Sequence, residues 1–121
     1  MSQRVLELKP FVPAKDFALS RRFYADLGFV EASEVGGVAY FHHGDASFLL
    51  QDFYDRSLAE NLMLHLLVED VSAWHARLAG VDIAGRYGVR QSEIVRQTWR
   101  MRDFTLTDPS GVLWRIAQNS E

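Results

Sequence analysis

The chain has no cysteine among its 121 residues, which excludes disulfide bridges and thiolate-bound metal and fits a cytoplasmic setting. It has no run of about 20 apolar residues, so no membrane-spanning helix is expected. Its opening residues, MSQRVLELKP, place charges where a signal peptide requires an apolar stretch. Positive charge is not in excess either. Thirteen Lys and Arg stand against 16 Asp and Glu, a formal net charge of −3, so neither a nucleic-acid nor an anionic-membrane partner is expected. No nucleophile triad, P-loop or dinucleotide fingerprint occurs. The DPSG stretch at 108–111 holds one glycine and no helix follows it, so it reads as a turn and not as a phosphate cradle.

What is present is the composition of an ordinary soluble globular protein, 48% hydrophobic and 24% charged. Its length suits one domain, 1–121, with a substantial core. The most informative stretch is DFTLTDPSGVLWRIAQ, at 103–118. Asp108, Pro109, Ser110 and Gly111 fit a type I turn between two strands. Alternation puts Phe104 and Leu106 on one face of the incoming strand, and Val112, Trp114 and Ile116 on one face of the outgoing strand. Arg115 then points the other way, toward water or a polar cavity.

Taken in order, residues 5–12 are expected to form a first strand, with Pro10 near its end marking an edge or a bend. Asp16 caps a helix whose Phe17, Ser20, Phe23, Tyr24 and Leu27 share a side, and Gly28 supplies a left-handed stop. Strands follow at 29–34, 38–42 and 47–52, reversing at Gly36-Gly37 and at His43-Gly44-Asp45. The polar segment 53–61 is a linker. The order then begins again, with an apolar strand at 62–68, Asp70 capping a helix with Val71, Trp74 and Leu78 inward, and Gly80 as its stop. A strand within 89–97 completes the second set. The fold class is therefore α+β, with two βαβββ modules in one chain, about 1–55 and about 61–118. Each module leaves one sheet face open, and pairing two sheets within or between chains covers it.

Two groups of residues invite a functional reading. Arg86, Arg90, Arg96, Arg100 and Arg102 surround Tyr87 and Trp99, with Glu93 the one acid among them. They form either a solvated surface loop or a cleft wall in which arginine forks grip an anion and Trp99 stacks on a ring. Of the four histidines, His42 and His43 are adjacent and diverge, and His75 follows Trp74 on a helix. His65 lies within an apolar strand, where a structural role, ligand contact and metal ligation are all open.

The stretches KDFALSRRFYADLGF (15–29), HLLVEDVSAWHARL (65–78) and TDPSGVLWRI (107–116), with the module order, resemble the vicinal oxygen chelate superfamily. That superfamily includes glyoxalase I, extradiol dioxygenases and the bleomycin-resistance proteins, and the resemblance is nearest to the last. It implies a mixed, curved sheet forming a U-shaped cleft, in a homodimer with modules exchanged or apposed across chains. The enzymes of the family hold a divalent metal with His, Glu or Gln from four strands, and the metal polarises substrate oxygens. Carried onto this chain, the four positions fall near Glu7, at Leu50 or Gln51, at Met63 and at Arg115, with His65 two residues beyond Met63 on the same face. A guanidinium has no lone pair to give and repels a cation. No cofactor is therefore expected, and Glu7, Gln51 and His65 remain only weak candidates for metal.

The resemblance thus implies a metal-independent small-molecule binding protein that sequesters its ligand in a cleft at a homodimer interface. Phe41, His43, Phe53, His65, Trp99, Arg102, Trp114 and Arg115 are expected to line it, with Arg115 facing a ligand carboxylate or phosphate, or Glu7. The alternative is a metal-dependent lyase, isomerase or dioxygenase of the same superfamily. A third reading is a vestigial cleft in a protein that binds a partner.

Overall fold

The structure, a computed structural model, describes residues 1–120. Strand β1 (Phe11–Pro13), helix α1 (Phe17–Leu27), β2 (Val30–Val35), β3 (Val38–His43) and β4 (Ala46–Gln51) form the first module. A single helical turn, α2 (Arg56–Ala59), occupies the expected linker. The second module contains β5 (Met63–Leu67), α3 (Val71–Gly80), α4 (Ile83–Tyr87), β6 (Val95–Arg96), β7 (Met101–Thr107) and β8 (Leu113–Asn119). The two four-stranded sheets have the orders β1-β4-β3-β2 and β5-β8-β7-β6, so the second repeats the first strand for strand. Each pairs its first and fourth strands in parallel and the rest antiparallel. No helix among the described residues is long and apolar enough to cross a membrane.

Local chemistry explains most of the boundaries. The Asp16 carboxylate accepts from Leu19 N at 3.1 Å and opens α1, while Gly28, at φ 117°, returns its N–H to Tyr24 and Ala25 and closes it. Asp70 opens α3 in the same way through Ala73 N. Two expected boundaries are corrected. Gly80 is the last helical residue and not a left-handed stop, because the chain reaches Asp82 before it turns to positive φ, 52°, and starts α4. The first strand is Phe11–Pro13 alone, and Val5, Leu6 and Leu8 stand exposed before it. Pro10 has no N–H to give, so its carbonyl accepts from Leu49 N at 2.9 Å and the ladder begins after it.

The hairpin at 103–118 forms as its sequence predicts. Gly111 N donates to Asp108 O at 3.0 Å, and β7 and β8 pair from Thr107 opposite Leu113 to Met101 opposite Asn119. Phe104, Leu106, Trp114 and Ile116 are buried. They share one core with α1. The Tyr24 ring lies 4.7 Å from Phe48 of the first sheet and 5.6 Å from Trp114 of the second. Each such ring contributes roughly 1.5–3 kcal/mol through burial. One helix face is thus covered by both sheets.

Because both sheets turn their buried faces to this core, their other faces lead away from it. Alternation puts Tyr40, His42, Leu49 and Gln51 on the open face of the first sheet, and Met63, His65, Leu67 and Arg115 on that of the second. Exposed apolar side chains collect there: Phe11, Val30 and Val35 on the first, and Met63, Leu67 and Val95 on the second.

Candidate functional site

Arg115 sits mid-way along β8, a central strand, and the alternation that buries Trp114 and Ile116 turns it to the open face. Its Nη1 donates to Asp103 Oδ2 at 3.0 Å, where the Asp103 side chain is 2% exposed and that of Arg115 is 25% exposed. Gln97 Nε2 donates to the other carboxylate oxygen at 2.9 Å. A carboxylate this buried is tolerable only with such partners. Arg115 is therefore held by Asp103 and not by Glu7. Across the sheet, Arg115 stands opposite His65 of β5 on one side and Thr105 of β7 on the other.

Sequence reasoning did not pick out Asp103, Gln97 or Thr105, yet the hairpin carried part of that signal. Once the turn sets Thr107 opposite Leu113, counting outward places Thr105 opposite Arg115 and Asp103 opposite Ala117.

On the first module Glu7 is engaged. Its Oε2 accepts from Tyr40 Oη at 2.7 Å and from Ser47 Oγ, and Lys9 Nζ lies 3.5 Å from Oε1. The hydrogen bonds from Ser47 and then Tyr40 hold its carboxyl below the usual carboxylate range. Gln51, not the buried Leu50, takes the open-face position at the end of β4.

A cavity of ≈ 200 Å³ lies where the N-terminal segment passes between the modules, lined by Leu8, Pro10, Phe29, Phe48, His65 and Trp114 among others. That is below the roughly 300–1,000 Å³ of a drug-sized pocket. A larger open groove of ≈ 730 Å³ runs beside the DPSG turn, past Glu60, Tyr87 and Arg90. Its buried carboxylate, Asp108, has no oxygen to spare, because Tyr24 Oη, Ser110 N and Val112 N all donate to it.

The residues expected to line a cleft are spread over several surfaces. Phe41 is fully buried under Tyr24 and Phe48, and Trp114, 4% exposed, donates to Tyr24 Oη at 2.9 Å, so both are core residues. Trp114 touches only the small cavity. His43 lies 5.2 Å from the Trp74 ring on the helix side of its sheet. Arg102 also turns to the helix side, donating to Ser72 Oγ at 3.2 Å, because it is out of phase with Asp103 on the same strand. Phe53 is exposed beyond β4, and Trp99 is exposed in the turn between β6 and β7. His65 and Arg115 are cross-strand neighbours on the open face, and His65 also lines the small cavity with Trp114. The arginine-rich segment carries a strand of two residues at 95–96, and Arg86 is bound to Asp26 at 3.1 Å.

Within one chain the inherited metal positions do not converge. Glu7 and Gln51 belong to one open face, and Met63, His65 and Arg115 to the other. No three His, Asp or Glu residues come together in a metal-holding group among the described residues. Arg115 supplies a fixed cation where a ligand would need a lone pair.

Residues 8–116 match the family described as the Glyoxalase/Bleomycin resistance protein/Dioxygenase superfamily. No curated protein matches the chain. Among solved structures, the bleomycin resistance determinant encoded on the transposon Tn5 is similar at 24% identity and a TM-score of 0.79, covering 97% of this chain and 100% of that one. The bleomycin-binding protein of Streptomyces verticillus, solved with copper(II)-bleomycin, is 22% identical at a TM-score of 0.77, with 99% of each chain covered. Lactoylglutathione lyase from Agrobacterium tumefaciens has 15% identity and a TM-score of 0.69, with 98% of this chain and 95% of that one covered. At these identities the likeness is one of fold.

Proposed function

The chain belongs to the glyoxalase/bleomycin resistance protein/dioxygenase superfamily, and from that premise we propose that it is a metal-independent binding protein for a small organic molecule. The ligand is held in a cleft formed where the open face of one chain meets that of a second copy. Relatives solved in complex with bleomycin support a small organic ligand as the class.

The observation that carries this reading is the Asp103–Arg115 pair. It sets a guanidinium mid-way along the last strand, where the resemblance implies a metal-ligating carboxylate in the family's enzymes. Sequestration needs only apolar surface with a few fixed polar groups, and the open faces have both. A second copy covers the exposed apolar side chains of the open faces, among them Val30, Met63 and Leu67, and this supports the dimer.

The test uses protein stripped with EDTA and titrated with phenylnaphthylamine, a neutral apolar probe followed by its fluorescence, and then calorimetrically with Zn²⁺, Ni²⁺ and Mn²⁺. Saturable binding of the probe without added metal is the expected result. Stoichiometric uptake of any of the three ions, with turnover of a glutathione hemithioacetal, would overturn the reading in favour of a lyase.

A further inference from the structure

Across the open face of the second sheet runs a polar row, His65 on β5, Arg115 on β8 and Thr105 on β7, each the cross-strand neighbour of the next. The rows beside it are largely apolar. Met63 pairs with Leu113 on one side and Leu67 with Ala117 on the other. We propose that this row is an oxyanion subsite, taking a carboxylate, phosphate or sulfonate group of an organic ligand. The inference rests on the cleft reading above and adds the charge of what enters it.

The hydrogen-bonding inventory of the row is one-sided. Arg115 carries five N–H donors on a rigid fork, and its bond to the protein runs from Nη1 to Asp103. The other nitrogens, the His65 ring and the Thr105 hydroxyl have no protein partner among the described residues. His65 is exposed and Thr105 half-buried. Neighbouring strands are about 4.8 Å apart, so His65 and Thr105 flank the strand that carries the guanidinium on either side. Among the described residues, the carboxylate on this face, Asp103, does not compete. Asp103 is nearly sealed from solvent, and both its oxygens are already paired with Gln97 and Arg115. Its role is to hold the fork by one edge and leave the other edge outward. Apolar rows on each side exclude water from the charge-assisted bonds, which strengthens them.

A matched pair of probes separates this subsite from the cleft that contains it. Anilinonaphthalene sulfonate and phenylnaphthylamine share the same ring system, and only the first carries an anionic group. Both are expected to bind the folded wild-type protein, the sulfonate more tightly. Arg115→Gln should weaken the sulfonate about tenfold and leave the amine unchanged. Because that variant also strips Asp103 of its partner, His65→Ala, at an exposed edge-strand position, provides the control against misfolding, and it should weaken the sulfonate about threefold, again without effect on the amine. Equal affinity of the two dyes in the wild type, or an equal loss of both in His65→Ala, overturns the subsite while the cleft stands. Failure of both dyes to bind overturns the subsite together with the cleft.

Discussion

The hydroxyl of Tyr24 is one oxygen serving two elements. It donates to Asp108 Oδ2 at 2.5 Å and accepts from Trp114 Nε1 at 2.9 Å, all three groups being buried. Removing it leaves a donor and an acceptor unsatisfied, so Tyr24→Phe is expected to cost about 1–3 kcal/mol in urea unfolding despite the conserved ring. Burial pushes the Asp108 carboxyl up from its ordinary value, against the pull of its hydrogen bonds. A carboxyl raised on folding contributes stability that is present below its unfolded pKa and is lost as pH rises through the folded one. Asp108→Asn lacks that loss, so it should cost more stability at about pH 4 than at about pH 7. A pH-independent difference would remove burial as the cause. Arg115→Glu sets a second carboxylate against the sealed Asp103 and should destabilise by about 3–5 kcal/mol.

Among the elements, the turn at 108–111 offers the sharpest test. Gly111 sits at φ 95°, and a Cβ there would meet Glu60 Cγ at 3.3 Å. Gly111→Val is therefore expected to cost about 1–3 kcal/mol, read as a lower melting temperature, while the strands on either side keep their register. This turn was legible because its instructions are local: Asp to accept, Pro to fix φ and Gly to close. The same holds for Asp16, Gly28 and Asp70. Residues 81–100 were legible only in part, in the strand expected within 89–97 that β6 bears out at 95–96, and the rest was hidden for the opposite reason. Asp82 takes a left-handed conformation that glycine would have announced, and α4 interrupts the βαβββ order. Strand β6 has two residues and exists because β7 offers it an edge. The alternation Trp114-in, Arg115-out could be read from sequence. That Asp103 and not Glu7 receives Arg115 depended on following the register strand by strand.

For the whole molecule, the open faces set the expectation. With Phe11, Val30, Met63 and Leu67 about half exposed, sedimentation at micromolar concentration should show a homodimer burying more than roughly 1,200 Å² in total. Leu67→Lys should dissociate it with little effect on the melting of the chain. A wild-type monomer would contradict the paired cleft and leave the fold untouched. The scatter of the expected cleft residues has its cause at this scale too. Strand phase assigns a side chain to one of two faces, but which face meets the core is decided by α1, whose Tyr24 packs on both sheets at once. The same helix denies the two repeats independence. A fragment ending near residue 55 would carry Tyr24 without Trp114 or Asp108, and its complement would carry those two without the ring between them. Neither half has a closed interior of its own, so heating should melt the chain in one cooperative transition. The halves, made separately, should fold only when mixed, as the complementing fragments of a single unit.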